Sequence, residues 1–125
     1  MVRSAGIFFV SLWLVAITVP ALASTCSVRK FRTLDNQTAN GNMYAVSGKP
    51  CGVTVVSSRG PVHGTRLVTP PGNGHVSIKG NRVIYVSRPG YVGDDRFVYA
   101  RDGMDAINRP ITRTVEMSVK VADHL

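Results

Sequence analysis

The sequence predicts an all-β protein, built as an antiparallel sandwich of two sheets with about seven short strands. Three observations carry this prediction: a period-two alternation near the C-terminus, a two-residue Gly-Asn turn between β-rich runs, and turn residues at short intervals. No stretch between these runs has the period of an amphipathic helix, so alternating strands and helices are not expected. At 125 residues, the chain suits a single domain.

The first 23 residues have the three-part pattern of a secretory signal peptide. Arg3 makes the start positive, residues 7–19 form an apolar run, and small residues occupy the cleavage positions. An uncleaved membrane anchor is the alternative, but a spanning helix needs about 20 apolar residues. We expect cleavage after Ala23, which leaves one domain over residues 24–125 in the periplasm or outside the cell.

Both cysteines, Cys26 and Cys51, belong to the expected mature chain. Exported chains enter an oxidising compartment, so we expect a Cys26–Cys51 disulfide rather than two free thiols. Neither cysteine has the spacing of a redox or zinc motif. A lipid-modified Cys26 fits less well, because Thr25 stands where such sites have Gly or Ala.

The strands are predicted from alternation and from the breakers that bound them. In residues 111–121, apolar side chains from Val115 to Val121 alternate with polar ones, which is typical of a half-buried strand. A hairpin is expected around Gly80-Asn81, since Gly accepts the positive φ of a tight turn. Residues 27–41 have no clear period and are expected to form a loop or an edge segment held by the disulfide. The other strands are expected at residues 42–46, 52–57, 62–69, 75–79, 82–87 and 96–101.

One predicted strand, residues 82–87, is apolar on both faces. We expect an apolar stripe that the N-terminal segment covers or that serves as a partner surface. Its members are Ile84, Val86, Val98 and Ala100.

Residues 71–103 read PGNGHVSIKGNRVIYVSRPGYVGDDRFVYARDG and resemble the closing half of bacterial Ig-like (cadherin-like) domains of secreted and surface proteins. Their pattern runs P-x-x-G-x-V, then a strand ending in Tyr, then P-G-F-x-G-x-D-x-F-x-Y and a D-G turn. Tyr91 stands where Phe is commoner, and Ser87 where Pro is frequent. The matching positions are Pro71, Gly74, Val76, Tyr85, Pro89, Gly90, Tyr91, Gly93, Asp95, Phe97, Tyr99, Asp102 and Gly103.

The resemblance implies an Ig-like sandwich used for adhesion or as a spacer, and it implies no reaction. The whole chain is also similar to small stand-alone secreted proteins of alpha-proteobacteria that carry this module. The residues themselves favour a structural role. Gly93 permits a tight turn, Asp95 can accept backbone N–H bonds within that turn, and the aromatic side chains supply bulk to a small core.

The sequence contains no recognisable catalytic or metal motif. Four carboxylates lie close together, at Asp94, Asp95, Asp102 and Asp105, but Arg96 and Arg101 lie between them, so turn capping is favoured over calcium binding. No nucleophile elbow, P-loop or dinucleotide-binding motif occurs. The three histidines, His63, His75 and His124, fit no metal spacing. We therefore expect no cofactor, no metal and no enzymatic activity, with a hydrolase as a remote alternative.

Positive charge is the feature that the fold explains least. The mature chain has fourteen basic and seven acidic residues, and residues 24–93 carry nine basic residues against one acid, Asp35. Arginine forms bidentate contacts with phosphate and carboxylate groups. Candidate polyanion-binding residues are Arg29, Lys30, Arg32, Arg59, Arg66, Arg82 and Arg88.

These observations favour an exported, non-enzymatic Ig-like module that acts in binding or adhesion, or as a structural component of the cell envelope. The alternative is a basic surface protein that binds lipopolysaccharide, an anionic glycan or extracellular nucleic acid. Such binding is electrostatic and weakens with salt. Sequence-specific nucleic-acid recognition is not expected, because export argues against it and no reading motif occurs. A further interpretation is that the positive charge serves only the solubility of the protein and binds no partner.

Overall fold

The computed structural model describes residues 25–55 and 62–125, together with residues 6, 11 and 13–16. The predicted cleavage site after Ala23 lies outside the described residues, as does most of the predicted signal peptide. In the described part of the chain, all regular structure is β, and no helix is long and apolar enough to cross a membrane.

The described residues form eight strands in two sheets, against the expected total of about seven. A five-stranded sheet has the order β1-β2-β8-β7-β4, and a three-stranded sheet has the order β3-β6-β5. All neighbours are antiparallel except β2 and β8, which are parallel. The strands are β1 (Cys26–Val28), β2 (Thr38–Val46), β3 (Cys51–Thr54), β4 (Val62–Thr69), β5 (Gly74–Lys79), β6 (Arg82–Ser87), β7 (Gly93–Met104) and β8 (Pro110–Ala122).

The two most regular sequence patterns form the strands and the hairpin that they predict. The predicted strand 111–121 is confirmed as β8, in which Val115, Met117 and Val119 are buried between more exposed neighbours. The predicted hairpin is confirmed as β5 and β6, with Lys79 opposite Arg82 and Gly80 at a φ of 58°. In β8, alternation suffices because one face of the strand packs on the core and most of its buried positions carry apolar side chains.

The two sheets pack through one apolar core. The rings of Tyr85 on β6 and Phe97 on β7 stack with centroids 5.7 Å apart, and Tyr99 lies 6.3 Å from Phe97. Tyr85 and Phe97 are fully buried, so aromatic bulk joins the sheets where the sequence predicted it. Such ring pairs contribute about 0.5–1.5 kcal/mol beyond the burial of their area.

The Cys26–Cys51 disulfide is confirmed. It joins β1 of the larger sheet to β3 of the smaller sheet, with the two Cα atoms 5.1 Å apart. A disulfide of this kind is typical of an oxidising, exported environment.

The segment expected as a loop or edge over residues 27–41 contains more regular structure than its sequence indicates. It holds most of β1 and the first four residues of β2, which begins at Thr38 rather than at residue 42. Small residues obscure the alternation there. Gly41 is buried, and a Cβ at this position would lie 2.8 Å from Cε of Met117, so a larger residue here would require the Met117 side chain to shift.

Strand β7 is twelve residues long, whereas the sequence predicts six. The expected turns at Gly93-Asp94 and Asp102-Gly103 are wrong, because both pairs lie inside β7 and are aligned with β8. The turn that does follow β7 is organised by Asp105, whose Oδ1 accepts bonds from the backbone N–H groups of Ile107 and Arg109. Pairing with the long β8 extends β7 through residues that are turn formers elsewhere.

The expected apolar stripe is not one surface. Ile84 and Val86 lie on the outer face of the three-stranded sheet, since Tyr85 between them faces the core. Val98 and Ala100 lie on the outer face of the five-stranded sheet and are buried. The two pairs are therefore on opposite sides of the molecule. Of the strand expected over residues 52–57, β3 covers the first part, and residues 56–57 lie outside the described residues.

Candidate functional site

A cleft of about 500 Å³ opens between the two sheets on the side that carries the disulfide. One wall is the extended chain that follows β1, residues 28–33, and the opposite wall is β3 with the residue after it, residues 52–55. Tyr99 and Arg101, which point inward from β7, also line the cleft. The disulfide lies at its closed end, since it joins the strands from which both walls continue.

The lining of this cleft is positively charged. Among the twelve described residues that line it, four are basic and none is acidic. The basic residues are Arg29, Lys30, Arg32 and Arg101. A concave arrangement of basic side chains favours the approach of anions, and guanidinium groups bind carboxylates or phosphates with paired hydrogen bonds.

Arg101 belongs to a buried pair of arginines. It lies directly opposite Arg113 on β8, and the two residues are 7% and 5% exposed. Asp35 accepts a hydrogen bond of 2.8 Å from Nε of Arg113, and Thr33 Oγ1 accepts one of 3.2 Å from Nη2 of Arg101. Burial, followed by the positive charge of Arg113, lowers the pKa of Arg101. Arginine stays protonated in proteins, so this end of the core concentrates positive charge.

The wall formed by residues 28–33 is anchored at several points. Arg29 donates its backbone N–H to the carbonyl of Asn42 at 3.1 Å, and its guanidinium lies over the ring of Tyr44 at 5.8 Å. Phe31 packs against the core cluster. Beyond the wall, the backbone N–H of Asn36 bonds to the carbonyl of Thr112 at 2.8 Å. The disulfide and these contacts hold the wall in a defined position.

The other predicted polyanion-binding residues are placed differently. Arg82 lies beside the β3 wall, since a Cβ at Gly52 would lie 2.5 Å from its Nη2 atom. Arg66 forms an ion pair of 3.0 Å with Asp102 on the opposite edge of the larger sheet. Arg88 donates to Oδ1 of Asn73 at 2.7 Å and lies over the ring of Tyr91, while Arg59 lies outside the described residues.

A second polar cluster is centred on Asp95, and we call it the Asp95 cluster. The two carboxylate oxygens accept bonds from the backbone N–H groups of Gly72 at 3.0 Å, Asn73 at 3.1 Å and Arg96 at 2.9 Å. Asp95 also accepts a bond of 2.7 Å from the hydroxyl of Tyr85. Burial, followed by this hydrogen bond, raises the pKa of Tyr85.

The Asp95 cluster corrects one prediction. Two of the backbone donors come from the turn before β5, more than 20 residues upstream, and not from a turn at Gly93. Asp95 therefore ties β7 to the preceding turn and to β6 across the core.

The remaining motif residues form turns and close contacts. A Cβ at Gly74, which follows the turn that contains Pro71, would lie 2.5 Å from the carbonyl oxygen of Val86. Gly90 after Pro89 has a φ of 82°, and Gly93 has a φ of 142°. The hydroxyl of Tyr91 donates to the carbonyl of Asp94.

The carboxylates that the sequence places close together have separate partners. Hydrogen bonds from Arg66 and Thr112 lower the pKa of Asp102, and a backbone bond from Arg109 lowers the pKa of Asp105. Among the described residues, no group of three His, Cys, Asp or Glu side chains is arranged to hold a metal ion.

The histidines lie away from the described lining of the cleft. His75 on β5 and His124 in the C-terminal tail are exposed, and the side chain of His63 lies outside the described residues. The described lining contains no histidine, serine or carboxylate.

Sequence reasoning missed Arg101, Arg113 and Asp35 as parts of this site. The signal was present, because Arg101 shares its face with Phe97 and Tyr99, and Arg113 shares its face with Val115 and Met117. When an arginine continues the alternating positions of a strand that are otherwise buried, its side chain is expected to point inward at the end of the core.

The chain matches no protein-family model, and no curated protein or solved structure is significantly similar to it.

Proposed function

We propose that the protein is an exported, non-enzymatic Ig-like module that functions by binding an anionic partner in the basic cleft. The strand order supports the Ig-like assignment. In the larger sheet, the order β8-β7-β4 corresponds to the G-F-C strands of an Ig-like sandwich, and β2 is added parallel to the last strand, β8. In the smaller sheet, the order β3-β6-β5 corresponds to the B-E-D strands. The disulfide and the N-terminal signal pattern support export.

The observation that carries the binding function is the composition of the cleft. Four cations and no acid line it within the described residues, and its volume lies in the range of about 300–1,000 Å³ that is common for ligand sites. The described residues of this lining include no serine, cysteine or histidine, which supports the non-enzymatic part of the proposal.

The second candidate function is a broad surface for an anionic polymer such as lipopolysaccharide, a glycan or nucleic acid. The charge excess of residues 24–93 favours it. The positions of Arg66 and Arg88 favour the cleft instead, because neither residue belongs to its described lining. The two candidates differ in how binding affinity depends on ligand length. For a broad surface, affinity increases with each charge added to the polymer, whereas for a cleft it stops increasing once a short ligand fills the site.

The test compares two variants that remove the same charge. One carries Arg29→Gln, Lys30→Gln and Arg32→Gln in the cleft wall, and the matched control carries Lys49→Gln, Lys79→Gln and Lys120→Gln, which are exposed elsewhere. We expect anionic oligosaccharides or acidic peptides to bind at about 50 mM salt and to bind more weakly as salt rises. The cleft variant should lose about tenfold or more in affinity, and the control much less.

An equal loss in both variants would show that net charge alone governs binding and would remove the cleft from the proposal. Circular dichroism and thermal unfolding of both variants confirm that each is folded.

A further inference from the structure

Strand β3 has one side without a partner strand. It pairs with β6 alone, and no other described strand adjoins it in the three-stranded sheet. In an Ig-like sandwich, this side of the corresponding strand is taken by the first strand of the domain. Here the first strand, β1, pairs with β2 in the opposite sheet. The outer edge of β3 therefore offers backbone groups for pairing.

The basic cleft runs along this edge. Residues 52–55 form its wall over about 13 Å, at the usual rise of a strand. The opposite wall, residues 28–33, is extended chain in which the described structure assigns no strand after Val28. The cleft is therefore bounded along its length by an edge strand and closed at one end by the disulfide.

The side chains on the edge leave room for a strand to approach. Val53 points into the core, while Gly52 has no side chain and Thr54 has a small one. An incoming strand presents its side chains alternately to two faces. One face would meet the aromatic groups of Phe31 and Tyr99, which line the cleft. The other would meet Arg82, which lies across Gly52 outside the described lining.

We propose that the cleft binds an extended acidic peptide segment of a partner protein, in which apolar and acidic residues alternate, and that this segment adds as a strand to the free edge of β3. The inference rests on the proposed function, that the cleft binds an anion. Backbone hydrogen bonds supply part of the affinity, and the alternating side chains supply selectivity. Charge complementarity selects an acidic sequence, because the described lining carries four cations and no acid.

An anionic oligosaccharide is the other occupant that these cations would accept. It would use the arginine and lysine side chains but would leave the backbone edge of β3 unpaired. Binding of either occupant depends on charge, but only binding of the peptide depends on backbone N–H and C=O groups of the ligand. This difference distinguishes the two occupants.

The experiment uses the disulfide-bonded mature protein and a capped octapeptide in which glutamate alternates with valine. A second peptide has the same sequence but is N-methylated at alternate residues, on the edge that would face β3. N-methylation keeps the charge and removes the N–H donors. We expect the first peptide to bind, and the N-methylated peptide to bind about tenfold more weakly or worse. A peptide with lysine in place of glutamate should not bind.

Hydrogen exchange locates the contact. Binding of the glutamate peptide should slow amide exchange within residues 51–54 and leave β5, the other edge strand of the same sheet, unchanged. The Arg29→Gln, Lys30→Gln, Arg32→Gln variant should bind the peptide more weakly.

Two results would overturn strand addition while the proposed function stands. In the first, both peptides bind equally and β3 amides are unprotected. In the second, neither peptide binds but an oligogalacturonate binds in a manner that the cleft variant loses. If none of these anions binds at low salt, both the inference and the proposed function fail.

Discussion

The Asp95 cluster and the basic cleft both place charged side chains at the rim of the core, where the two sheets meet. The Asp95 carboxylate receives four hydrogen bonds from groups of its own chain. The cleft wall contributes Arg29, Lys30 and Arg32, and no acid lies in its described lining. In the Asp95 cluster, hydrogen bonds from the chain itself satisfy the negative charge. In the cleft, basic side chains outnumber acidic ones within the described lining.

This difference separates structure from function. A carboxylate saturated by backbone donors fixes the positions of the elements that donate, and it has no remaining capacity for a ligand. A concentration of cations around a concave site lowers stability slightly through repulsion and is favourable only when an anion binds. We therefore expect changes at Asp95 to alter stability and not anion binding, and changes in the cleft wall to alter anion binding far more than stability.

The largest effect is expected from the disulfide, which closes one end of the cleft. Replacing both Cys26 and Cys51 by alanine should lower the free energy of unfolding by roughly 3–4 kcal/mol, because the unfolded chain gains the freedom of an open loop. Denaturant unfolding measures this loss. The wall of residues 28–33 also loses its tie to β3, so anion binding should weaken in protein that is still folded.

Unchanged binding in the folded double variant would show that Phe31 and the backbone contacts position the wall without the disulfide.

The next effect is expected at Asp95. Asp95→Ala should destabilise the protein by about 2–3 kcal/mol, since it removes four hydrogen bonds and leaves the buried Tyr85 hydroxyl without its acceptor. Anion binding in the cleft should not change. The matched control is Asp94→Ala, because the adjacent Asp94 is exposed, and a change of about 0.5 kcal/mol or less is expected there.

Equal destabilisation by the two alanine variants would refute a special role for Asp95. A loss of anion binding in Asp95→Ala would show that the two regions are coupled.

The smallest effect concerns pH and compares tyrosines from the two regions. Burial raises the pKa of Tyr99 to about 12 from an ordinary value of 10.0. The unfolded chain therefore loses this proton first, so the contribution of Tyr99 to stability is constant below pH 10 and falls as pH rises towards 12. The slope is about 1.4 kcal/mol per pH unit for each such tyrosine. Tyr85, whose pKa is also raised, should contribute a similar slope.

Unfolding free energies measured between pH 9 and 11.5 check this expectation for the wild type and for Tyr99→Phe and Tyr85→Phe. Each variant should have a shallower alkaline slope than the wild type. Only Tyr85→Phe should also be less stable at pH 8, because it alone removes a hydrogen bond to Asp95. An unchanged slope in Tyr99→Phe would mean that this hydroxyl is solvated in the folded protein.

Much of the strand pattern is predictable because it depends on neighbours in sequence. The alternation in β8 and the glycine turn between β5 and β6 are local, and both were found where expected. Strand β2 was only partly predicted, because Thr38 to Asn42 are small or polar and the buried member, Gly41, has no side chain to mark it. The predicted ends of β7 were wrong, because pairing with β8 outweighed the turn preference of Gly93 and Gly103.

The candidate site was predictable only in part. The basic run Arg29, Lys30 and Arg32 was recognised in the sequence, and Tyr99 was predicted only as a core aromatic. Arg101 was missed although it is in phase with Tyr99, and nothing in the sequence placed the other wall beside them. These residues come from segments separated by at least 19 positions, so their proximity depends on how the two sheets pack.

By itself, the sequence determined the β class, the single possible disulfide partner of each cysteine, and a positive charge concentrated in residues 24–93. Each follows from residue type or from spacing of a few positions. Only the tertiary structure decided that Arg101 lies opposite Arg113, that Asp95 bonds to a turn upstream, and that β3, at the edge of its sheet among the described strands, lies beside a cleft lined by four basic residues. The physical reason is that strand register and sheet packing join distant segments, and period-two patterns carry no information about which strands become neighbours.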